Sequence, residues 1–228
     1  ATAYLELAMA AAAEAFGDKP VAIKNLVLAH PLLFSEDGDQ TIQLLMTENG
    51  PDSGSFKIFS LTGKGETLAP NWVLHAAGDI ALEVELEQQE RLDPIAASRN
   101  GGTKIEHDAH YELLKSQGLE FGSAFKGVEE IWHQESVSVG VIKLPEPLLG
   151  EFAQYRIHPA LLDACLQPVV VALLADESNS SARTYLPQRL ESFRVYRSPG
   201  ERLWSRVTVR ERRGDGAEVT ADIDVVDS

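Results

Sequence analysis

The chain has 228 residues, 44% of them apolar, which is enough to form one large hydrophobic core or two smaller ones. Its formal net charge of -15 argues against a nucleic-acid partner, because neutralising phosphates requires a basic surface. The single cysteine excludes an internal disulfide, and no apolar run reaches the roughly 18 residues of a membrane span. We therefore expect a cytoplasmic protein that binds neither nucleic acid nor membrane, and the scattered histidines predict no metal site.

The first part of the chain predicts one helix followed by a sheet. Residues 2–16 are rich in Ala, Leu, Glu and Met, which favour a helix, and Gly17 ends it. Five short apolar or alternating runs follow, separated by turn-forming clusters, and predict strands at residues 21–29, 41–47, 56–61, 72–77 and 80–86. This order is typical of an antiparallel sheet packed on one long helix.

The second part of the chain repeats this order after a polar segment that contains Asn100-Gly101-Gly102. A short helix at 110–117 precedes strands at 128–132 and 137–144. An apolar helix then begins at Pro159 and continues to residue 174, and alternating strands follow at 203–210 and 218–225. The fold class predicted from the pattern is α+β, with two antiparallel sheets each wrapped around a long apolar helix. The predicted domains are residues 1–87 and 105–228, with a linker at 88–104.

The segment with the clearest chemical content is 158–167, HPALLDACLQ. Asp163 and Gln167 are four residues apart and share one face of a helix. Apolar neighbours would desolvate the Asp163 carboxyl, so that it could keep its proton at neutral pH and act as a general acid, oriented by Gln167. The alternative is a carboxylate in the first helical turn that only satisfies backbone donors. Spacing alone leaves both open.

Several segments, in the same order, resemble the dehydratase domains of modular type I polyketide synthases. HPALLDACLQ is similar to the family's HPALLDAxxQ segment, whose DxxxQ/H motif holds the catalytic aspartate and its partner. The opening ATAYLELAMAAAAEA resembles the helix that follows the family's HxxxGxxxxP motif. Residues 118–127, GLEFGSAFKG, resemble GYxYGPxFxG, and residues 184–187, TYLP, with FRV at 193–195, resemble a later strand region.

The resemblance implies a double-hotdog fold and the dehydration of a (3R)-hydroxyacyl thioester to a trans-enoyl thioester. The substrate would be carried on the phosphopantetheine of an acyl carrier protein, and the domain itself would bind no cofactor. Asp163 matches the family's acid and Gln167 its partner. The resemblance also implies a substrate site lined by Phe121, Gly122 and the Leu186-Pro187 stretch.

The base that the resemblance implies is a histidine of HxxxGxxxxP, a motif that would end immediately before Ala1. We therefore expect the first strands and the base to lie upstream of Ala1. His158 precedes Pro159 at a helix start and is interpreted as structural. His107 and His110 lie in a polar approach to a helix, where a packed or exposed histidine is the simpler interpretation.

The arginines are concentrated late in the chain, since nine of the twelve lie after residue 182. They indicate either ordinary exposed strand faces or a docking site for an anionic group. Arg189 and Arg194 are the candidates for contacting the phosphopantetheine phosphate or the carrier, because arginine binds phosphate in bidentate geometry. The resemblance also implies neighbouring polyketide synthase domains in one polypeptide, and it leaves a homodimer open.

Four positions depart from the family pattern. Leu119, Phe121 and Ser123 stand where the family usually has Tyr, Tyr and Pro. Pro168 predicts a kinked helix and a Gln167 displaced from α geometry. Two alternatives to dehydration stay open. One is a family variant that isomerises or cyclises the product, and the other is an inactive module, suggested by the altered stretch 118–127 and the base missing from this chain, that only binds acyl chains or the carrier.

Overall fold

The computed structural model describes residues 1–34, 39–62, 71–83, 102–174, 185–214 and 218–227. The chain divides into two compact units. The first unit is Ala1–Gln88 with Leu186–Arg197, and the second is Gln89–Tyr185 with Ser198–Ser228.

Within the described residues, the secondary structure consists of four α-helices and ten β-strands, together with short 3-10 turns. The helices are α1 (Thr2–Phe16), α2 (His107–Ser116), α3 (Pro159–Leu166) and α4 (Pro168–Leu174). The strands are β1 (Val21–Leu28), β2 (Ile42–Gly50), β3 (Ser53–Thr62), β4 (Asn71–Leu82), β5 (Thr103–Glu106), β6 (Val128–Gln134), β7 (Val137–Lys143), β8 (Arg189–Arg194), β9 (Arg202–Arg213) and β10 (Glu218–Asp227).

The first unit is a five-stranded antiparallel sheet in the order β2-β3-β4-β1-β8, packed on α1. Leu5, Ala8 and Ala12 of α1 are buried, as is Ile23 of β1, so burial of this apolar surface drives the packing. The predicted bounds of α1 are confirmed at both ends. Because the helix contacts β1, β2 and β4, it forms the core of this unit.

One strand prediction in this unit was wrong. The runs at 72–77 and 80–86 predicted two strands, but β4 continues through Gly78 and Asp79 as a single strand. Gly78 pairs with Phe56 and Asp79 pairs with Ser55 of β3, so both residues belong to the ladder rather than to a turn. A glycine fits there because an added Cβ would lie 3.0 Å from the Phe56 ring.

The second unit is a five-stranded antiparallel sheet in the order β10-β9-β7-β6-β5, and α3 and α4 pack against β7 and β9. Its core includes Leu114 of α2, Leu161 of α3 and Leu203 of β9, all fully buried. The helix α2 begins at His107, three residues before the predicted start. The polar residues there suit a first turn, since Asp108 interacts favourably with the helix dipole.

The apolar helix of the second unit is two short helices rather than the one long helix that was predicted. Pro168 has no amide hydrogen for the carbonyl of Ala164, and the N–H of Gln167 donates to that oxygen instead, at 3.3 Å. The predicted kink at Pro168 is an interruption between two helices, Pro159–Leu166 and Pro168–Leu174. The predicted departure of Gln167 from α geometry was wrong, because its φ and ψ are -60° and -34°.

Two strands do not follow the predicted domain division. The strand β8 pairs with β1, with Phe193 opposite Ile23 and Leu190 opposite Leu26, so a strand late in the chain belongs to the first sheet. The strand β5 begins at Thr103, inside the predicted linker 88–104. Residues 84–101 lie outside the described residues, and the division into 1–87, 88–104 and 105–228 stays a prediction.

Candidate active site

The helix α3 carries Asp163, and its start is fixed by His158. The Nδ1 atom of His158 accepts a hydrogen bond of 3.2 Å from the N–H of Ala160, and its Nε2–H donates to Oε1 of Glu151 at 3.2 Å. Pro159 occupies the first helical position, where its missing N–H costs no hydrogen bond. His158 is therefore the N-cap residue of α3, in agreement with its structural interpretation.

Gly127 brings α3 close to the turn at Ser123–Phe125. A Cβ added to Gly127 would lie 2.9 Å from the carbonyl oxygen of Lys143 and 3.0 Å from the Cβ of Ala164. Only glycine allows this approach without displacing a neighbour. The result is that the carbonyl of Phe125 lies beside the Asp163 face of the helix pair.

Asp163 and Gln167 are in direct contact, as the spacing predicted. The Nε2 atom of Gln167 donates to Oδ2 of Asp163 at 3.2 Å and to the carbonyl oxygen of Phe125 at 3.0 Å. Gln167 is buried, whereas Asp163 is half-buried and so remains reachable. Burial raises the pKa of the Asp163 carboxyl above its usual value, and the hydrogen bond from Gln167 offsets part of that rise.

Tyr111 and His110 of α2 complete the cluster, and neither was predicted from the sequence as a site residue. The Tyr111 hydroxyl donates to Oε1 of Gln167 at 3.0 Å and accepts from the N–H of Val128 at 3.1 Å. The Nε2–H of His110 donates to the same Oε1 at 3.4 Å. Burial raises the pKa of Tyr111 and lowers that of His110 to about 4, so both side chains are neutral at pH 7.

Sequence reasoning missed these two residues because of their separation from Gln167. Tyr111 is 56 residues from Gln167, and His110 is 57 residues from it. The one signal in the sequence was two aromatic residues at consecutive positions of a short amphipathic helix. That pattern indicates a buried edge but does not identify the partner.

Phe121 and Gly122, predicted to line the substrate site, differ in their contacts with this cluster. The Phe121 ring meets the Tyr111 ring edge-on, with the centroids 6.2 Å apart, and packs on the core of the second unit. Gly122 is exposed, and a Cβ there would meet nothing within 4 Å. The structure therefore brings Phe121, through Tyr111, to the Asp163–Gln167 pair.

The remaining predicted site residues belong to the first unit. Leu186 is 70% exposed, and Pro187 is also exposed. Arg194 donates to Glu83 at 2.7 Å, whereas Arg189 is exposed at the start of β8. Five positions separate the two arginines along one strand, so their side chains project from opposite faces of the sheet. They cannot contact one phosphate together through a single face of β8.

Most of the other late arginines that the structure describes have structural partners. Arg202 pairs with Glu129 at 2.8 Å, and Arg210 pairs with Asp222 at 2.6 Å. Arg212 donates to the carbonyl oxygens of Ala172 and Leu173 at the end of α4, at 3.1 and 3.2 Å. These contacts favour the interpretation of the arginines as ordinary strand-face residues.

Within the described residues, no group of three or more His, Cys, Asp or Glu side chains is placed to hold a metal ion. None of the helices in those ranges is long and apolar enough to cross a membrane. Cys165, two residues after Asp163, is fully buried in the core of the second unit, and burial raises the pKa of its thiol to about 12.

Comparison with known proteins shows similarity to polyketide synthases over most of the chain. The chain is 31% identical to the spectinabilin polyketide synthase system protein NorA of Streptomyces orinoci over 209 residues, which cover 91% of the chain and 10% of that protein. It is 32% identical to mycoketide-CoA synthase of Mycobacterium tuberculosis over 151 residues, covering 66% of the chain and 4% of that protein. The chain thus spans a tenth or less of these two curated relatives.

Solved structures of dehydratase domains are similar to this structure over the full chain. The dehydratase domain from the CurF module of curacin polyketide synthase is 30% identical, with a TM-score of 0.86, covering 100% of this chain and 78% of that one. Inactive Asp-to-Asn and His-to-Phe mutants of the CurK dehydratase each give a TM-score of 0.86 at 28% identity, covering 100% of this chain and 77% of theirs. With the two five-stranded antiparallel sheets, this similarity confirms the predicted α+β class and double-hotdog fold.

Two family profiles match the chain in sequence order. Residues 1–61 match the profile described as polyketide synthase dehydratase domain, and residues 89–228 match the profile described as polyketide synthase dehydratase N-terminal domain. Since the second match alone covers more than half of the chain, the chain belongs to the polyketide synthase dehydratase domain family.

Proposed function

We propose that this domain removes water from a (3R)-hydroxyacyl thioester carried on the phosphopantetheine of an acyl carrier protein, giving a trans-enoyl thioester. The observation that carries the proposal is Asp163, a half-buried carboxyl with a raised pKa that is held on one oxygen by Gln167. Family membership gives the reaction class, and this carboxyl gives a group that can perform its acid step.

The acid step requires a proton for the departing β-hydroxyl. A desolvated carboxyl retains its proton closer to neutral pH than an exposed one does, and surrounding apolar groups limit its discharge to water. Nε2 of Gln167 donates a hydrogen bond to Oδ2 of Asp163. Oδ1 of Asp163 has no hydrogen-bond partner among the described residues. We assign the transferred proton to Oδ1.

The base step requires a group that removes the α-proton, and two histidines of the second unit are unsuited to it. His110 is fully buried, and His158 uses both ring nitrogens in hydrogen bonds. We assign the base to a histidine of the family's HxxxGxxxxP motif, upstream of Ala1. The inactive His-to-Phe mutant of the CurK dehydratase supports a requirement for histidine in that protein.

The proposed partners follow from the relatives, which are large polyketide synthase proteins of which this chain spans a small part. We propose that the domain works beside other synthase domains in one polypeptide and receives its substrate from an acyl carrier protein. A homodimer stays a prediction. We also propose residues 1–87 and 105–228 as two hotdogs joined by 88–104, with β8 contributed to the first sheet and β5 of the second sheet beginning at Thr103, at the end of the joining segment.

A second candidate function is an inactive module that binds acyl chains or the carrier without chemistry. The observation that favours it is Phe121, whose ring packs near Tyr111 but has no hydroxyl to offer a substrate. A turnover experiment separates the two functions. The full synthase polypeptide containing this chain is loaded with a 3-hydroxyacyl carrier thioester, and loss of one water is followed by mass spectrometry.

The enzyme proposal predicts loss of water and an olefinic product whose double-bond position and geometry are read by NMR. A shifted double bond or a closed oxygen ring would instead identify the isomerase or cyclase variant. A folded polypeptide that binds the loaded carrier but never loses water, with any chain length, would contradict dehydration and support the binding module.

A further inference from the structure

Two backbone groups fix the direction of the hydrogen bonds around Gln167. The N–H of Val128 can only donate, and it points at the Tyr111 hydroxyl oxygen at 3.1 Å. The carbonyl of Phe125 can only accept, and it takes a hydrogen bond from Nε2 of Gln167 at 3.0 Å. The carbonyl of Val128 also accepts from Nδ1 of His107 at 2.6 Å, which holds this backbone segment in place.

The direction of the other bonds follows from these two. Because Tyr111 accepts from Val128, its own proton is free to donate, and the nearer acceptor is Oε1 of Gln167 at 3.0 Å rather than the carbonyl of Phe125 at 3.4 Å. The carbonyl end of the Gln167 amide thus faces Tyr111. Its NH₂ end faces Phe125 and Asp163. Reversing the amide would place two acceptors, Oε1 of Gln167 and the carbonyl oxygen of Phe125, against each other at 3.0 Å, and would leave the Tyr111 proton only the longer contact of 3.4 Å to Phe125.

His110 reinforces the same orientation. Since Oε1 of Gln167 can only accept, the contact of 3.4 Å requires the hydrogen of His110 on Nε2. The Nδ1 atom of His110 then carries a lone pair, and within the described residues it has no hydrogen-bond partner. His110 is fully buried, so this tautomer is set by Gln167 rather than by solvent.

We infer that Tyr111 is a positioning residue for Asp163: with His110, it locks the Gln167 amide so that Gln167 can only donate to Oδ2, which leaves Oδ1 as the oxygen that carries the transferable proton. This inference rests on the proposed function for the role of that proton. The geometry of the lock does not depend on the function, so the two can fail separately.

The test is Tyr111→Phe, with the pKa of Asp163 read from the ¹³C shift of its carboxyl carbon. Without the Tyr111 donor the amide can rotate, and Asp163 loses part of the hydrogen bond that favours its charged form. We expect the Asp163 pKa to rise by about one pH unit. In a Gln167→Leu background the same change should have no effect, because Tyr111 acts only through Gln167.

The controls distinguish this role from a structural one. Tyr196→Phe removes a hydroxyl from a tyrosine that is 39% exposed in the first unit and should leave the Asp163 pKa unchanged. An unchanged pKa in Tyr111→Phe, or an equal rise in the Gln167→Leu background, overturns the inference. Unaltered turnover in Asp163→Asn would instead overturn the proposed function and leave these readouts intact.

A measurement on the unaltered protein covers the case in which Tyr111→Phe does not fold. Long-range ¹H–¹⁵N NMR reports the tautomer of a neutral histidine, and the lock predicts hydrogen on Nε2 of His110 at neutral pH. Hydrogen on Nδ1 would make Nε2 an acceptor, which reverses the Gln167 amide and contradicts the inference.

Discussion

Gly140 of β7 is in close contact with Pro168 of α4, so that a Cβ added to Gly140 would lie only 2.8 Å from Cγ of Pro168. Through this contact, at the residue after Gln167, the helix pair α3 and α4 packs on β7. The proline that breaks the apolar helix is therefore matched by the absence of a side chain on the strand below.

Gly140→Ala should destabilise the second unit. The added methyl group forces Pro168 or the strand to move, and overpacking of this kind costs about 1–3 kcal/mol. Urea titration of the variant measures the loss in the free energy of unfolding. Gly150→Ala is the matched control, since Gly150 is exposed and an added Cβ meets nothing within 4 Å. Equal stability of the two variants would show that the contact is not tight.

Arg212→Lys should lower the free energy of unfolding by about 1 kcal/mol, because lysine cannot reproduce the fork that reaches two carbonyl oxygens. Arg212 binds the carbonyls of Ala172 and Leu173 at the C-terminal end of α4. The comparison is Arg213→Lys, which alters an exposed ion pair with Glu211 and should cause no measurable change. If both variants behave alike in thermal unfolding, Arg212 does not cap the helix.

His110 should make the stability of the protein depend on pH. The folded protein protonates His110 only near pH 4, whereas the unfolded chain does so near 6.5. Acidification between these values therefore favours the unfolded state, and the stability present above pH 6.5 is lost as the pH falls towards 4. The shift corresponds to about 3 kcal/mol.

The check compares the wild type with His110→Phe by urea titration across this range. As the pH falls, the free energy of unfolding of the wild type should decrease relative to that of His110→Phe. The raised pKa of Asp163 acts with the opposite sign, but it is present in both proteins and largely cancels. A pH-independent difference would mean that His110 is not held neutral by burial.

Local features of the sequence predicted much of the fold for identifiable physical reasons. The helix α1 was predicted at both ends because strong helix formers run without interruption until Gly17. Pro168 was predicted to distort the apolar helix because proline has no N–H to donate, although the distortion predicted was a kink rather than a division into two helices. The Asp163–Gln167 contact was predicted because side chains four residues apart on a helix share a face, and the chain keeps helical φ and ψ through Gln167.

Features that depend on distant parts of the chain were not predicted. The pairing of β8 with β1 joins Leu190 to Leu26, and no local pattern encodes which sheet an alternating strand will enter. The role of Tyr111 and His110 depends on the backbone N–H of Val128 and the backbone carbonyl of Phe125. Such backbone groups do not depend on residue type, so the sequence gives no sign of them. Local periodicity carries no information about such contacts.

Arg189→Glu should reduce turnover of a carrier-bound substrate by roughly 10-fold and leave a small-molecule thioester unaffected, if the start of β8 contacts the carrier. Acyl carrier proteins are expected to be acidic, and a chain of net charge -15 needs a local positive group to bind one. Arg194→Glu is the comparison. Because Arg194 is paired with Glu83, its reversal should affect both substrates equally through the fold. If both variants lose turnover equally, or if neither loses turnover, Arg189 takes no part in docking the carrier.

The most direct test of the central claim is the turnover of Asp163→Asn in the full synthase polypeptide with a 3-hydroxyacyl carrier thioester. The amide keeps the volume of Asp163 but has no readily transferable proton, so we predict an intact fold and at least about a 100-fold loss of dehydration. Asp108→Asn, at an exposed position in the first turn of α2, controls for the loss of a carboxylate and should retain activity. Water loss by Asp163→Asn at near wild-type rate would contradict the assignment of Asp163 as the general acid.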